Sequence, residues 1–302
     1  MLINAPILVT GATGNVGLPL VLALLAAGHA VRALVTNPEA AKALFVKAGH
    51  TSDVSNALQI VRFDFADPST YSAAFLGGQA LFLLRPPPIS DVKGLINPAL
   101  DAAVQAGVRR VAFLSVPAAE KNALIPHYAI EQHLKTLAET IPGFSYTFLR
   151  AAFFMQNLST THAADIRDLD EIIIPAGKGR SAFVDARDLA EVAKTVLTNR
   201  GHENAAYELT GDVLLTYADI AAILTRVLGR PIAYNHPGII RFYRHMRQLG
   251  HIRAMVLVML AFYVGTRFEI GARTTPALTQ LLGRAPISFE QFAQDFKSSW
   301  LH

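Results

Sequence analysis

The chain of 302 residues contains no cysteine at all. That excludes a disulfide framework, a thiolate metal site and a cysteine nucleophile. Charge of one sign is also scarce: 27 basic against 23 acidic residues leave a net charge of only +4. So small and dispersed a surplus gives no nucleic-acid footprint, and no nucleic-acid partner is expected. Long hydrophobic runs are missing too. The longest, Met255 to Val264, is well short of a bilayer, so no membrane span is expected. The start of the chain shows neither a charged leader nor a small-residue cleavage site, and a cytoplasmic location is the expectation. The ten histidines are scattered, with no His-x-x-x-His and no carboxylate cluster at ligand spacing. No metal is expected.

What is present is a glycine pattern directly after the apolar run Ile7-Leu8-Val9. It reads Gly11-Ala12-Thr13-Gly14-Asn15-Val16-Gly17 and opens a segment of helical periodicity, Val16, Leu20 and Leu24. Strand, glycine turn and helix in that order are the setting a dinucleotide fingerprint requires. Gly11 permits the tight turn, Gly14 lets backbone approach a pyrophosphate, and Gly17 lets the helix pack closely. The helix N-terminus then offers free N–H groups and a partial positive charge to phosphates.

Short apolar runs alternate with helical patterns through the first half, predicting βαβ units and a doubly wound parallel α/β sheet. Strands are expected at Ile7–Val9, Ala30–Val35, Leu58–Phe63, Ala80–Leu84, Val111–Leu114 and Tyr146–Leu149. Helices are expected near Leu18–Ala27, Glu39–Ala48, Ser69–Phe75, Val92–Ala106 and His127–Thr140. After Arg150 the rhythm changes. Strands are expected at Ile172–Pro175, Ser181–Val184, Tyr207–Thr210 and Ile232–Tyr234. Helices follow at Arg187–Thr198 and Tyr217–Leu228, and the chain ends in helix Phe289–Trp300. The division expected is a nucleotide-binding domain over 1–150 and a smaller, mainly helical substrate domain over 151–302. Elements near 181–200 are expected to return to the first sheet.

These residues resemble the atypical short-chain dehydrogenases of the NmrA-like family. Besides the glycine motif, the resemblance rests on Asp64-Phe65 with Asp67-Pro68, and on Phe82-Leu83-Leu84-Arg85-Pro86-Pro87. It extends through Phe148-Leu149-Arg150 with Phe153-Phe154-Met155-Gln156-Asn157-Leu158, the most specific stretch. Phe183-Val184-Asp185-Ala186-Arg187-Asp188-Leu189-Ala190 and Leu281-Leu282-Gly283-Arg284-Ala285-Pro286 complete it. The resemblance implies a Rossmann fold that binds NADP(H), with NAD(H) as the other possibility. By it, Asp64 and Phe65 border the adenine, and Leu84, Arg85 and Pro86 lie beside the cofactor. Ser115 stands where the superfamily places a hydroxyl near the nicotinamide, and Val116 begins a loop over its ribose.

Two departures from the superfamily matter. The usual Tyr-x-x-x-Lys pair is absent: Tyr128 is followed four residues on by Gln132. His127 and Glu131 match instead the family's His-x-x-x-Glu, a spacing that puts both on one helix face. In the functional reading Glu131 orients the imidazole and raises its proton affinity; the bland alternative is a helix-surface pair. The second departure lies at the end of the second strand. NAD-selective enzymes place an acid there, and NADP-using relatives often an arginine. This chain has Thr36, followed by Asn37-Pro38. Arg32 and Lys42 are the cations close enough in sequence to replace that arginine.

Asp185 and Asp188 begin a helix, and capping is expected of them rather than catalysis. The basic segment Arg241, Arg244, Arg247 and Arg253, with Met255–Val264, reads first as a solvated face over a packed helix. A substrate lid, a dimer face and a membrane-surface helix are the alternatives. The function expected is hydride transfer from NADP(H) to a small apolar or aromatic quinone, carbonyl or imine, with His127, Tyr128 and Glu131 as catalytic candidates. The competing reading is a redox sensor that passes dinucleotide state to a protein partner. Monomer and homodimer stay open.

Overall fold

A computed structural model describes residues 5–49 and 57–302. The first half follows the predicted alternation. The elements are β1 (Ile7–Thr10), α1 (Gly17–Ala26), β2 (Val31–Val35), α2 (Pro38–Lys47), β3 (Leu58–Arg62), α3 (Tyr71–Phe75) and β4 (Ala80–Leu83). Next come α4 (Asn97–Gln105), β5 (Arg110–Ser115), α5 (Pro126–Thr140) and β6 (Ser145–Ala151). β1 pairs in parallel with β2 on one side, Val9 opposite Ala33, and with β4 on the other, Val9 opposite Phe82. With β9 (Ala205–Leu209), which ends the sheet beside β6, the strand order is β3-β2-β1-β4-β5-β6-β9. Chain order reverses between β1 and β4, the switch point where α/β sheets hold ligands at strand C-termini. The Rossmann-type α/β class is therefore the observed one.

β1 and β2 are buried along their whole length, as strands covered by helices on both faces must be. Leu8, Leu83, Val111, Phe113 and Phe148 join one core with Ile130 and Leu134 of α5. The single helix expected at 92–106 is two elements, a π-helical turn Val92–Ile96 and then α4. Pro98 lacks the N–H that a continuous α-helix would donate to Gly94, which places the break.

By contacts the chain divides into two units. One is Met1–Ala151 with Leu189–Glu208; the other is Ala152–Asp188 with Leu209–His302. The segment joining the first unit is therefore 189–208, not 181–200. β8 (Arg180–Val184) belongs instead to a separate three-stranded sheet with β7 (Phe153–Phe154) and β10 (Leu214–Thr216). Ile172–Pro175 and Ile232–Tyr234 are not strands. A bridge between Glu171 and Ala233 and the Tyr234 hydroxyl on the Ile174 carbonyl link them without a ladder; Ile172 and Ile174 are apolar because they fill the second unit's core, and Ile173 is buried too. The last helix ends at Asp295 and tightens to a 3₁₀ turn over Lys297–Trp300. Asp185 caps as expected, accepting from the Arg187 N–H at 2.8 Å. Asp188 does something else: it is buried and holds the Arg284 guanidinium at 2.8 Å and the Ile287 N–H at 2.7 Å.

Candidate active site

The glycine turn is built from mutual contacts of its own backbone. Gly11 sits at φ +61°, and a Cβ there would stand 3.2 Å from Leu84 Cδ2. Gly14 closes the turn by donating its N–H to the Gly11 carbonyl at 2.9 Å. Gly17 lies against that same carbonyl, 2.0 Å from where its own Cβ would be. At Gly14 a Cβ would meet the Gly11 oxygen at 3.3 Å, a tight but yielding contact. Ala12 and Val16 are buried beneath the turn, while Thr13, Gly14 and Asn15 are exposed above it. α1 begins without a side-chain cap and without an acid in its first turn. Its N-terminal donors and positive end thus meet no carboxylate from the helix's own first turn, which suits a pyrophosphate site.

The opposite wall is tied down by a residue that the motif reading passed over. Thr10, the last residue of β1, accepts the Leu84 N–H at 2.7 Å and donates toward the Phe82 carbonyl at 3.1 Å. A hydroxyl at the end of a buried strand, directly before the glycines, was the available signal. Beyond Leu84, the Arg85 guanidinium gathers the proline loop, donating to the carbonyls of Pro86 (3.0 Å), Pro87 (3.0 Å) and Ile89 (2.6 Å). Its buried Nε has no hydrogen-bond partner in the protein.

On the β2 side, Thr36, Asn37 and Lys42 are all exposed. Asn37 caps α2 by accepting from Ala40 at 3.1 Å. Arg32 is excluded as a phosphate ligand. Its guanidinium is turned inward to Gln59 (2.8 Å) and to the carbonyls of Ala74 (3.1 Å) and Leu76 (2.7 Å), where it satisfies the end of α3. Asp64 folds its own loop, accepting from Ala66 at 2.9 Å. The Phe65 ring is buried edge-on against Phe63, and its carbonyl accepts from Tyr71 at 2.7 Å.

The expected His127–Glu131 partnership is replaced by another. Glu131 is 0% exposed, so it is no surface pair. Its Oε1 accepts from Ser115 at 2.7 Å and from Arg150 Nε at 3.0 Å, and its Oε2 from Arg150 Nη2 at 2.6 Å. Arg150 also pairs with Glu120 at 2.8 Å. Ser115 and Arg150 are register partners on β5 and β6, so the network fixes α5 over the C-terminal ends of two strands. The Ser115 hydroxyl is spent on this clamp, and Val116 follows directly at the strand end. His127 instead stacks on Phe113, ring centroids 5.9 Å apart. Burial first, and the nearby Arg85 cation second, push its imidazole down to about 4. Its proton affinity is lowered, not raised.

The NmrA-like family profile matches residues 4–293, almost the whole chain. This chain belongs to the NmrA-like family. It is 31% identical to the NAD(P)H azoreductase of Xenophilus azovorans, over 95% of this chain and 96% of that one. Among solved structures it resembles Citrobacter sp. triphenylmethane reductase complexed with NADP(H), with TM-score 0.78 and 27% identity over 96% of this chain and 99% of that one. It also resembles Escherichia coli quinone oxidoreductase QOR2 complexed with NADPH, with TM-score 0.80 and 25% identity over 96% and 99%. Among the described residues of this family member, no cluster of three ligating side chains could hold a metal. No helix among them is long and apolar enough to cross a membrane.

The state of His127 gives a prediction of its own. A histidine whose pKa is lowered on folding binds fewer protons folded than unfolded, so its contribution is full above about 6.5 and is lost as pH falls toward 4. The shift is worth up to about 3 kcal/mol, less where water screens the ring edge. Urea unfolding at pH 7 and pH 4.5 is expected to show His127→Phe losing less stability with acid than the unmodified chain. Parallel losses would show that the ring is not held neutral.

Proposed function

We propose that this chain is an NADP(H)-dependent oxidoreductase that delivers hydride to an apolar acceptor of the quinone, carbonyl or imine type. The observation that carries the reading is the glycine cradle at the switch point, facing an uncapped helix free of acids. Its relatives named for azo, quinone and triphenylmethane reduction support the acceptor class. A bound nicotinamide dinucleotide supplies the hydride. The chain's own residues supply position. Gly11, Thr13, Gly14, Asn15, Val16 and Gly17 would hold the pyrophosphate. Thr36 and Asn37 bring no carboxylate against a 2′-phosphate, with Lys42 as its candidate cation. Asp64 and Phe65 would border the adenine through their loop, and Leu84, Arg85, Pro86 and Val116 the nicotinamide half. Ser115 and Glu131 act from behind, by fixing α5.

His127 and Tyr128 are the side chains offered to the acceptor. With a pKa of about 4, roughly one His127 in a thousand is protonated at pH 7. It therefore works as a neutral hydrogen-bond donor and is a poor general acid. That favours acceptors whose reduced form needs no strong acid, quinones and cationic dye-like imines ahead of simple ketones. The test is NADPH consumption against a panel of quinones, imines and ketones. Turnover is expected on the first two, with His127→Ala lowering it by about tenfold or less, the worth of one neutral hydrogen bond. A loss of a thousandfold would restore His127 as proton donor. Tight NADPH binding without turnover on any acceptor would favour the sensor.

A further inference from the structure

The second unit carries an unusual charge pattern that the proposed chemistry does not use. From Ile220 to Phe268 the chain has seven arginines and no acidic residue. Three of these arginines reach carboxylates elsewhere: Arg226 to Glu290, Arg230 to Asp170 and Arg241 to Glu171. Among the described residues no carboxylate pairs with Arg244, Arg247 or Arg253.

These cations, with no carboxylate partner among the described residues and with Arg247 donating to the His251 carbonyl at 2.6 Å, accompany exposed apolar side chains. In helix Ile239–Gln248, Phe242 and Met246 are buried, which turns Ile240, Arg244 and Arg247 outward at spacings of four and three. Helix Arg253–Arg267 packs beside it and buries Val256, Leu260 and Tyr263. Its outward face carries no charge between the terminal arginines. Leu257, Val258 and Phe262 are 48%, 51% and 49% exposed, and Ile252, just before the helix, is 64% exposed. An exposed helix face normally is polar; this one is apolar and rimmed by guanidinium groups.

We infer that this helical pair docks on an anionic lipid surface, its apolar face in the headgroup–acyl boundary and its arginines without carboxylate partners on lipid phosphates. The pattern is that of an interfacial helical pair, with exposed apolar side chains on one helix and cations on the helix packed beside it. A second copy fits poorly. A two-fold interface sets the same patch against itself, so two surfaces that both carry Arg244, Arg247 and Arg253 would meet. An acidic protein would satisfy the cations, but it would need a complementary apolar surface as well. A bilayer supplies both at once.

The test is flotation of the full chain with vesicles of phosphatidylcholine, with and without an equal share of phosphatidylglycerol. Binding is expected to the anionic vesicles only, and to weaken as salt shortens the screening length. Each cation near such a surface is worth about fivefold in partitioning, so Arg244→Ala with Arg247→Ala should cost about 25-fold. Phe262→Ser should weaken binding with both arginines in place, while NADPH affinity stays unchanged in all variants. No flotation with anionic vesicles would overturn the proposal. So would dimerisation in sedimentation that Phe262→Ser abolishes, or binding to polyglutamate but not to vesicles.

Discussion

Gly14→Val is expected to lose dinucleotide binding by about a hundredfold or more and to keep its stability, whereas Gly17→Ala should lose stability instead. The two glycines sit three residues apart in one motif but meet different obstacles. A Cβ on Gly17 would lie 2.0 Å from the Gly11 carbonyl oxygen and against the backbone of Gly11 and Ala12, where nothing is able to turn away. Overpacking of that kind costs about 3 kcal/mol or more, and α1 would have to back off the turn. A Cβ on Gly14 meets the same oxygen at 3.3 Å, and its φ does not lie in the left-handed region. The protein can yield there by a few tenths of an ångström. What a valine at Gly14 fills is the space above the turn, where phosphate must approach the backbone. Losing one or two hydrogen bonds to a charged group, at about 1.5–3 kcal/mol each, sets the size of the affinity loss. Calorimetric titration with NADPH and urea unfolding of each variant separate the two effects. Unchanged affinity in Gly14→Val would mean that the motif is only a turn.

The second large effect is expected at Arg150. Arg150→Met strands the Glu131 carboxylate, 0% exposed, with Ser115 as its remaining donor. Removing one partner of a buried ion pair costs about 3–5 kcal/mol, mostly because the survivor stays buried and unpaired. Glu131→Gln should cost less, because Arg150 keeps Glu120 at 2.8 Å and its side chain is 15% exposed. The double variant Glu131→Leu with Arg150→Met should recover much of the loss, since both charges leave together. Unfolding free energies from denaturant titration check the order. Additive losses in the double variant would show that the two residues are not coupled.

The sheet was legible because its signal is local. β1, β2, β4 and β5 are short apolar runs closed by glycine or proline, and their predicted limits lie within one or two residues of the observed ones. Ile172–Pro175 has the same look for a different reason. Its isoleucines are buried without a ladder, and burial, not pairing, is what an apolar run reports. The glycine cradle was legible for the same local reason, since turn, close approach and helix start fall within seven residues.

The site's polar wiring was not legible, because its partners are far apart in sequence. A spacing of four correctly puts His127 and Glu131 on one face of α5, yet Glu131 is claimed by Arg150, 19 residues on, and by Ser115. Arg32 reads as a free cation in a strand. Only the carbonyls ending α3, more than 40 residues later, show why it is spent. Asp188 looks like a cap until Arg284 and Ile287 are seen on it, nearly 100 residues away. The resemblance to the NmrA-like family named most of these positions but could not say which atoms each would serve.

The central claim, hydride delivery to an apolar acceptor from a dinucleotide held at Gly11–Gly17, is tested most directly by following the hydrogen itself. NADPH carrying deuterium at the transferable position is incubated with the chain and with imine or unsaturated acceptors, whose reduced carbon retains the label. Mass spectrometry of the product is expected to show deuterium on that carbon, at a rate that collapses in Gly14→Val. Saturable NADPH binding with no label in any product, under conditions where the chain remains folded, would contradict the claim.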